Sequence, residues 1–311
     1  MWWWRPASAL RHPAQQASKQ SDNMELPILI SGIDAGAFYA LVALGYYIFA
    51  RSTGLINFSV GSYVMFGGMT IVFLIKVAGL PVWVAIPVTI FASISAALFA
   101  DYFIIKPILR KTSEEFAPVM AFVAVMFVIE QVTGILFGHR AVIGEYYLDG
   151  VFDVGAYELD YQTFLTIGIT MAAFALTSIW LTYGRLGRLL RAVGDNEFGA
   201  RALGLPITSI RVAAISVGGL ICGIAGVLVA PAVALDTESH LRFAVAGFIA
   251  FVLGGMQNVW ACLAGGIILG LIEAISARYL GGAYRDYVLL VLVLTVLAFR
   301  PHGLFHLSIR S

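Results

Sequence analysis

Charged side chains are scarce in this chain: they make up 12% of its 311 residues, where soluble domains carry about 25%. The mean hydropathy is correspondingly high, at +0.90. This deficit of charge excludes an ordinary soluble domain. Because the apolar runs are long enough for membrane-spanning helices, the composition predicts an all-α, polytopic integral membrane protein.

The motifs of common enzymes and metal sites are also missing. There is no Gly-Lys pair, so no nucleotide-binding P-loop is possible, and no HExxH, CxxC or GxSxG motif occurs. The two cysteines, Cys222 and Cys262, lie inside apolar runs, and the five histidines are scattered over the tail, loops and C-terminus. We therefore expect no catalysis by this chain, no metal site and no bound cofactor.

Residues 1–23 form a polar tail with a run of tryptophans and no acidic residue before Asp22. The tail lacks the 7–15-residue apolar core of a signal peptide. We expect it to be disordered, and we expect residues 24–311 to form the transmembrane domain. Met24 is an alternative start of the chain.

Nine apolar segments follow the tail, within an expected range of eight to ten. They are Leu26–Ala50, Leu55–Ile75, Val82–Phe103, Ala117–Phe137, Tyr161–Tyr183, Ile210–Val233, 243–257, 259–275 and Tyr287–Phe299. Segments 243–257 and 287–299 are shorter than the about 20 residues that cross a bilayer. Short segments next to glycines are typical of re-entrant or interrupted helices. The GGMQN hinge at residues 254–258 lies at the end of one of these two segments.

The distribution of Lys and Arg predicts the orientation. If residues 184–206 are cytoplasmic, alternation places eleven basic residues inside, namely Arg51, Lys106, Arg110, Lys111, Arg185, Arg188, Arg191, Arg201, Arg211, Arg300 and Arg310. Five lie outside, namely Lys76, Arg140, Arg242, Arg278 and Arg285. The count predicts a cytoplasmic C-terminus, while one re-entrant segment would change the side of the N-terminal tail.

The stretch Gly184–Pro206, GRLGRLLRAVGDNEFGARALGLP, is basic and too polar to span a membrane. Asp195 or Asn196 is a candidate N-cap of a short helix, and Gly204 is its candidate C-terminal stop. A capped helix between two membrane segments predicts an element that docks on a cytoplasmic partner. An ordinary positively charged loop is the alternative for this stretch taken alone.

Helical periodicity divides this short helix into two faces. Phe198, Ala202 and Leu205 follow each other at i, i+4 and i+7 and share the apolar face. Glu197 and Arg201 form an i, i+4 ion pair on another face.

Ionisable and polar groups inside membrane segments are costly, so each is a candidate functional residue. Asp34 either lines a pathway or reaches the membrane interface from the first segment. Glu130 and Gln131 lie well inside the fourth segment, and Asn57 and Ser59 open the second. We expect these polar groups to line a translocation pathway, and helix capping by Asn57 is compatible with that role. Two other carboxylates, Asp101 and Glu273, lie near segment ends and are expected to be structural.

The chain resembles the membrane permeases of branched-chain amino-acid-type ABC importers, from about Gly32 to Phe305. The motifs that carry the resemblance are GxxxGxxYALxALGY (Gly32–Tyr46), GLINFSxGSYxMxG (Gly54–Gly67), GRLxRAxxxxxxxAxxLGL (Gly187–Leu205), GGLICGIAGVL (Gly218–Leu228), FVLGGMxxxxxxxxGGxxLGxxE (Phe251–Glu273) and RPHGLF (Arg300–Phe305). Together these motifs are specific to the family.

The resemblance implies a multi-pass permease subunit in a bacterial inner membrane, which forms the pathway with a second, homologous permease. It implies two ATP-binding-cassette subunits at the cytoplasmic face, which would bind ATP and Mg, and an extracytoplasmic solute-binding protein. Surrounding lipid is expected, and no nucleic acid. The candidate pathway residues are Asp34, Asn57, Phe58, Ser59, Gly61, Glu130 and Gln131. The candidate ATPase-coupling residues are Arg191, Asp195, Glu197, Phe198, Ala200, Arg201 and Gly204.

Four residues depart from the family's pattern. Val60 stands where the family often has His, Glu130-Gln131 stand where it often has Gln-Asn, and Asp34 replaces an uncharged residue. The solute could therefore be a branched-chain or similar amino acid, an amide, urea or an organic acid.

The main alternative function is an ion-coupled secondary transporter that uses Asp34 and Glu130. That function would leave the capped helix without a role. A non-transporting scaffold is disfavoured by the interrupted, polar segments.

The tail is predicted to be dispensable, because it contains neither an apolar core nor a motif. A chain that starts at Met24 should assemble and transport as the full chain does, measured by copurification of its partners and by solute uptake. Loss of assembly would show that residues 1–23 contribute to the complex.

Overall fold

The computed structural model describes residues 13–111, 116–148, 150–154, 157–256, 258–282 and 285–299. In chain order the elements are α1 (Pro13–Thr53), α2 (Val60–Lys76), α3 (Val82–Ala100), a π-helical turn (Asp101–Ile105), α4 (Lys106–Lys111), α5 (Ala117–Phe137), β1 (Val151–Val154), β2 (Tyr157–Asp160), α6 (Tyr161–Tyr183), α7 (Arg185–Asp195), α8 (Glu197–Ala202), α9 (Ile207–Val229), α10 (Ser239–Gly254), α11 (Val259–Tyr279) and α12 (Arg285–Phe299). Within these ranges six helices are long and apolar enough to cross a membrane, and α2 and α10 are shorter apolar helices. The predicted polytopic, all-α fold is confirmed.

Helix boundaries agree with the sequence prediction for some elements and differ from it for others. Helices α5 and α6 begin and end where predicted, whereas α1 begins at Pro13, inside the predicted polar tail. Helix α9 begins one turn early because the carbonyl of Pro206 accepts the Ile210 N–H at 3.1 Å and so starts its hydrogen-bond ladder. The RPHGLF motif and residues 1–12 lie outside the described residues.

Helix α2 starts at Val60, and the prediction of a segment from Leu55 is wrong at this end. Gly54 has a left-handed backbone, with φ of +69°, which terminates α1. The Leu55 N–H then bonds to the Thr53 hydroxyl at 3.3 Å, so residues 55–59 form a connection between the two helices. Only 17 residues remain in α2, which is short of the about 20 that span a bilayer.

The loop between α5 and α6 contains a hairpin that the sequence analysis did not predict. Strands β1 and β2 pair antiparallel, with Val151 opposite Asp160 and Val154 opposite Tyr157. The loop is also fixed to α9, because the Tyr147 hydroxyl donates to the Val227 carbonyl at 2.8 Å. Burial raises the pKa of the Tyr147 phenol, so this group remains a hydrogen-bond donor.

Helices α1 and α11 approach until their backbones touch, through glycines on both sides. Gly32 and Gly36 of α1 face Gly266 and Gly270 of α11, and each pair is spaced as GxxxG. A Cβ atom at Gly270 would lie 2.5 Å from the Gly36 Cα, and one at Gly36 would lie 2.7 Å from the Ile267 Cα. Such small-residue contacts are the usual way in which helices associate inside lipid. We call these four glycines the α1–α11 seam.

Helix α9 packs against α2 and α3 in the same way, through glycines that allow close approach of the backbones. A Cβ atom at Gly226 would lie 2.6 Å from the Gly68 N of α2, and one at Gly223 would lie 3.1 Å from the Ile90 Cα of α3. Buried aliphatic side chains of α9, such as Ile215 and Ile221, belong to the hydrophobic core.

A charged cluster joins α9 to the π-helical turn. Asp101 is buried, its Oδ1 accepts from the Arg211 Nε at 3.0 Å, and its Oδ2 lies 3.2 Å from the Lys106 Nζ. The sequence analysis expected a structural role for Asp101 but could not identify Arg211, which is 110 positions away. A buried carboxylate needs such partners, since one left unpaired costs several kcal/mol.

The seam predicts that Gly270→Val destabilises the bundle, because the added atoms meet the backbone of α1, which cannot rotate away. Overpacking of this kind costs about 1–3 kcal/mol or more, visible as a lower unfolding temperature in detergent and a smaller yield of assembled protein. Gly168→Val is the matched control, because a Cβ atom there meets nothing within 4 Å. Equal stability of the two variants would contradict the role of the seam.

Candidate functional site

The arginine-rich connection folds as two helices, α7 and α8, that meet at Asn196. The Asn196 Oδ1 accepts the Gly199 N–H at 2.8 Å and so caps α8. At the other end Gly204 has φ of +71°, and the Leu205 N–H donates to the Ala200 carbonyl at 3.1 Å. This pattern is a Schellman C-cap. The predicted cap and stop are confirmed, with Asn196 as the cap and Asp195 as the last residue of α7.

The surface of α8 differs from the predicted single apolar face. Phe198 and Leu203 are 83% and 81% exposed, whereas Ala200 is buried. Leu205 packs against the core, because the chain leaves the helix at Gly204 and turns back towards the bundle. Of the predicted face, Phe198 and Ala202 are exposed and Leu205 is not. The two large exposed apolar side chains are therefore Phe198 of α8 and Leu203, directly after it.

The connection that carries this apolar pair also carries exposed arginines. Arg185, Arg188 and Arg201 are exposed, and Arg191 is partly exposed. The Arg188 Nη1 donates to the Tyr183 carbonyl at 2.9 Å, which fastens α7 to the end of α6. The side chains of Asp195 and Glu197 lie outside the described residues, so the Glu197–Arg201 pair stays a prediction.

Asn57 and Ser59 turn the chain into α2 and contact each other. Asn57 is only 2% exposed. Its Oδ1 accepts the Ser59 N–H at 3.0 Å and also the Ser59 hydroxyl, whose oxygen lies 3.2 Å from the Tyr63 Oη. The side chain of Asn57 thus holds the turn that precedes α2. It does not cap the helix: the N-cap residue is Ser59, and no side chain bonds to the first turn of α2 as a cap.

The beginning of α2 lies against the first turns of α10. A Cβ atom at Gly61 would lie 2.8 Å from the Ala244 Cα, so only glycine fits there without displacing α10. The Tyr46 hydroxyl of α1 donates to the Ala244 carbonyl at 3.0 Å. The Phe58 ring packs on Phe248 with centroids 5.4 Å apart. Four predicted pathway residues, Asn57 to Ser59 and Gly61, are therefore brought to one junction of α1, α2 and α10.

Glu130 reaches the same junction through a histidine. Its Oε2 lies 3.7 Å from the His240 Nε2, and both side chains are largely buried. The His240 Nδ1 lies 2.6 Å from the Thr237 carbonyl. Gln131 is not brought there: it is exposed on the same surface of α5 as Val128 and Ile135, because successive helical residues point about 100° apart.

Asp34 lies at the opposite end of the bundle from α8, in a cavity of about 230 Å³. Ionisable side chains from three helices line this cavity, namely Asp34 of α1, Arg242 of α10 and Glu273 of α11. Apolar walls come from Phe38, Leu228, Val229, Val233 and Phe243. We call this space the Asp34 cavity.

Within the described part of the structure, the Asp34 Oδ1 is buried and has no hydrogen-bond partner. The Arg242 Nη2 donates to the Ser239 Oγ at 3.1 Å, and its guanidinium carbon lies 5.9 Å from the centre of the Phe243 ring. Arg242 also lines an open groove of about 440 Å³ together with Asp236 and Glu238. The cavity and the groove therefore share one cation.

The sequence analysis missed Arg242 and His240 as site residues, because it counted the first as an external charge and the second as a loop histidine. A usable signal was the density of polar residues in DTESHLR, directly before an apolar segment. Among the described residues, no group of three His, Cys, Asp or Glu side chains could hold a metal ion.

Curated relatives match nearly the whole chain. The high-affinity branched-chain amino acid transport system permease protein LivH of Salmonella typhimurium is 27% identical over 292 residues, which cover 89% of this chain and 94% of that protein. BraD of Pseudomonas aeruginosa, with the same description, is 25% identical over 300 residues, with 89% and 94% covered. LivM of Escherichia coli K12 is 24% identical over 298 residues, with 87% of this chain and 68% of that protein covered.

The fold is also similar to a solved structure, that of PsaBC from Streptococcus pneumoniae in complex with Fab. The TM-score is 0.50 at 13% sequence identity, with 92% of this chain and 97% of that chain covered, so the likeness concerns the fold. The profile of the family described as "Branched-chain amino acid transport system / permease component" matches residues 28–297. The chain belongs to this family of membrane permeases.

Proposed function

We propose that this chain is the permease subunit of an ATP-driven importer and forms, with a second permease, the pathway for a small solute. The observation that carries the proposal is α8, a short helix capped at both ends that exposes Phe198, with Leu203 exposed directly after it, in an arginine-rich connection. Exposed aromatic and aliphatic side chains in a polar surround are typical of protein docking sites. An ATPase subunit is the partner that the family membership suggests.

The proposed assembly contains two homologous permeases, two ATP-binding-cassette subunits and an extracytoplasmic solute-binding protein. Relatives described as LivH and LivM both match this chain, which supports a pair of related permeases. We place α8 and the C-terminus at the cytoplasmic face of a bacterial inner membrane, on the basis of the Lys and Arg count.

The alternative, an ion-coupled secondary transporter, relied on Asp34 and Glu130 acting together. The structure gives these carboxylates separate surroundings: Glu130 pairs with His240, and Asp34 lines the cavity with Arg242. Uptake into proteoliposomes distinguishes the two functions. Transport that persists without ATP, while an ion gradient is kept, would favour the secondary transporter.

Phe198→Ser and Gly204→Val are expected to uncouple the permease from its ATPase. The first removes the exposed ring. The second puts a β-branched residue at φ of +71°, which unfolds the stop of α8. We expect normal membrane insertion, with reduced copurification of the ATPase and reduced solute-stimulated ATP hydrolysis.

Two matched variants control this experiment. Gly204→Asn should retain coupling, because Asn adopts the left-handed conformation more readily than Val. Phe152→Ser removes an exposed ring from the β1 strand and should leave ATPase copurification unchanged. A fully coupled Gly204→Val complex would refute the docking role of α8.

We further propose that the junction formed by Asn57, Ser59 and Gly61 borders the route of the solute. Asn57→Leu removes the acceptor that holds Ser59, so the start of α2 should shift against α10. We expect an assembled complex with basal ATPase activity that no longer imports solute. Asn57→Ser should retain part of the uptake, since a hydroxyl can form a similar local turn.

If Asn57 only holds the turn before α2, the variant should lose about 0.5–1.5 kcal/mol of stability, the usual contribution of one hydrogen bond. Its transport per assembled complex would then stay near normal, which would contradict the route proposal. Thermal unfolding and uptake, measured on the same purified complex, separate the two results.

A further inference from the structure

We propose that His240 and Glu130 bind one proton between them, and that this proton holds α5 against α10 and makes import sensitive to the external pH. The ligand of the site is the proton itself. Both side chains are positioning residues for the junction of α1, α2 and α10. The effect on import rests on the proposed function, whereas the proton site rests on the geometry of the pair.

One nitrogen of the His240 ring must carry a hydrogen. Its Nδ1 lies 2.6 Å from the Thr237 carbonyl oxygen, and a carbonyl oxygen can only accept a hydrogen bond. The Nδ1 atom is therefore the donor. In a neutral imidazole only one nitrogen carries a hydrogen, so the Nε2 atom of a neutral His240 would present a lone pair.

The Nε2 atom faces a carboxylate. It lies 3.7 Å from the Glu130 Oε2, and an ionised carboxylate has no hydrogen to donate. A neutral histidine and an ionised glutamate would therefore turn two acceptors towards each other. One added proton removes this conflict, either on Nε2, which gives an ion pair, or on the carboxyl group, which then donates. The proton belongs to the pair as a unit, as in other coupled titrations.

Burial makes the conflict costly if the proton is lost. The side chains of His240 and Glu130 are 7% and 18% exposed, and an unpaired buried carboxylate is strongly unfavourable. Glu130 also lies within a candidate membrane span, Ala117–Phe137, where ionisable side chains are usually functional.

Charged and titratable side chains on the elements packed against α5 and α10 do not replace this proton. Those that the structure describes are Asp34, Tyr39, Tyr46, Tyr47 and Arg51 of α1, Tyr63 and Lys76 of α2, Asp101 and Tyr102 of the π-helical turn, Lys106 of α4, Asp236 and Glu238 before α10, Arg242 of α10, Cys262, Glu273, Arg278 and Tyr279 of α11, and Tyr287 of α12. None of these forms an ion pair or hydrogen bond with His240 or Glu130. Arg242, two positions from His240, instead donates to the Ser239 hydroxyl.

The pair fastens α5 to the junction. Among the described residues it is the only ion pair or hydrogen bond between α5 and α10. The backbone of His240 touches the start of α2, since a Cβ atom at Gly61 would collide with the His240 carbonyl oxygen. Loss of the proton would draw water between the two acceptors and displace the first turn of α10 against α2. Glu130 lies seven residues before the end of α5 at Phe137, so in the proposed orientation the external medium supplies the proton.

The test compares the chain with its Glu130→Gln and His240→Gln variants in the purified full complex. An amide N–H supplies a hydrogen at every pH, so neither variant needs a bound proton. Thermal unfolding is followed in detergent from about pH 6 to about pH 9, a range that includes histidine titration. Uptake is measured in proteoliposomes with ATP and pH fixed inside and only the external pH varied. L-leucine is the probe solute, with urea and acetamide as alternatives.

The unmodified chain should lose stability as the pH rises, because the folded state holds a proton that the unfolded chain has released. Its unfolding equilibrium constant should increase by up to about tenfold per pH unit relative to the variants. Uptake, normalised for each complex to its own value at the lowest pH, should fall in the same range. Both Gln variants should give nearly flat profiles. Glu130→Met, which removes one acceptor, replaces Glu130→Gln if that complex does not assemble.

Two matched variants control for other titrating groups. His139→Gln and Glu145→Gln change an exposed histidine and an exposed glutamate of the α5–α6 loop, and both should keep the pH dependence of the unmodified chain.

A Glu130→Gln complex that keeps the full pH dependence of unfolding would overturn the inference. A flat profile in only one of the two Gln variants would do the same, since the proton belongs to both residues. Flat unfolding with pH-dependent uptake in both variants would refute the effect on import and leave the proton site. Uptake that needs no ATP would instead refute the proposed function, and the unfolding data would still decide the proton site.

Discussion

Direct backbone contact between helices is the constraint on which the rest of this structure depends. Inside lipid no hydrophobic force pulls helices together, so packing and small residues decide where they meet. In the α1–α11 seam the glycines fix the relative height of the two helices to within a residue, because a Cβ atom at Gly36 or Gly270 would collide with backbone. Asp34 lies between Gly32 and Gly36, and Glu273 lies one turn beyond Gly270. The seam is thus what brings both carboxylates to the same cavity.

The positions of most helices could be predicted from the sequence, because long apolar runs have few alternatives in a membrane. The start of α2 could not, since Leu55 and Ile56 are as apolar as the helix that follows. The start of α2 is set there by a local interaction: the Asn57 Oδ1 accepts the Ser59 N–H, and this bond turns the backbone at a point that hydropathy does not mark. The cap and stop of α8 were predictable because Asn196 and Gly204 act on their own neighbours in sequence.

Partners across the bundle were not predictable, because no local rule links residues far apart in sequence. Asp101 and Arg211 illustrate this, as do Glu130 and His240. Gln131 shows the converse: adjacency to Glu130 suggested a shared role, but helical rotation points it to the outer surface. Candidate residues could therefore be recognised from the free-energy cost of placing polar and ionisable side chains in lipid. Which of them lie together in one site could be learned only from the three-dimensional structure.

The two candidate regions are joined by one rigid element. Helix α9 begins five residues after α8, is held to the π-helical turn by Arg211 and Asp101, and ends where Leu228 and Val229 form a wall of the Asp34 cavity. Its 23 residues extend about 35 Å, and its glycines lie against α2 and α3 with no space for independent sliding. A displacement of α8 would therefore reach the cavity as a movement of the whole helix, and its direction would be set by the glycine contacts.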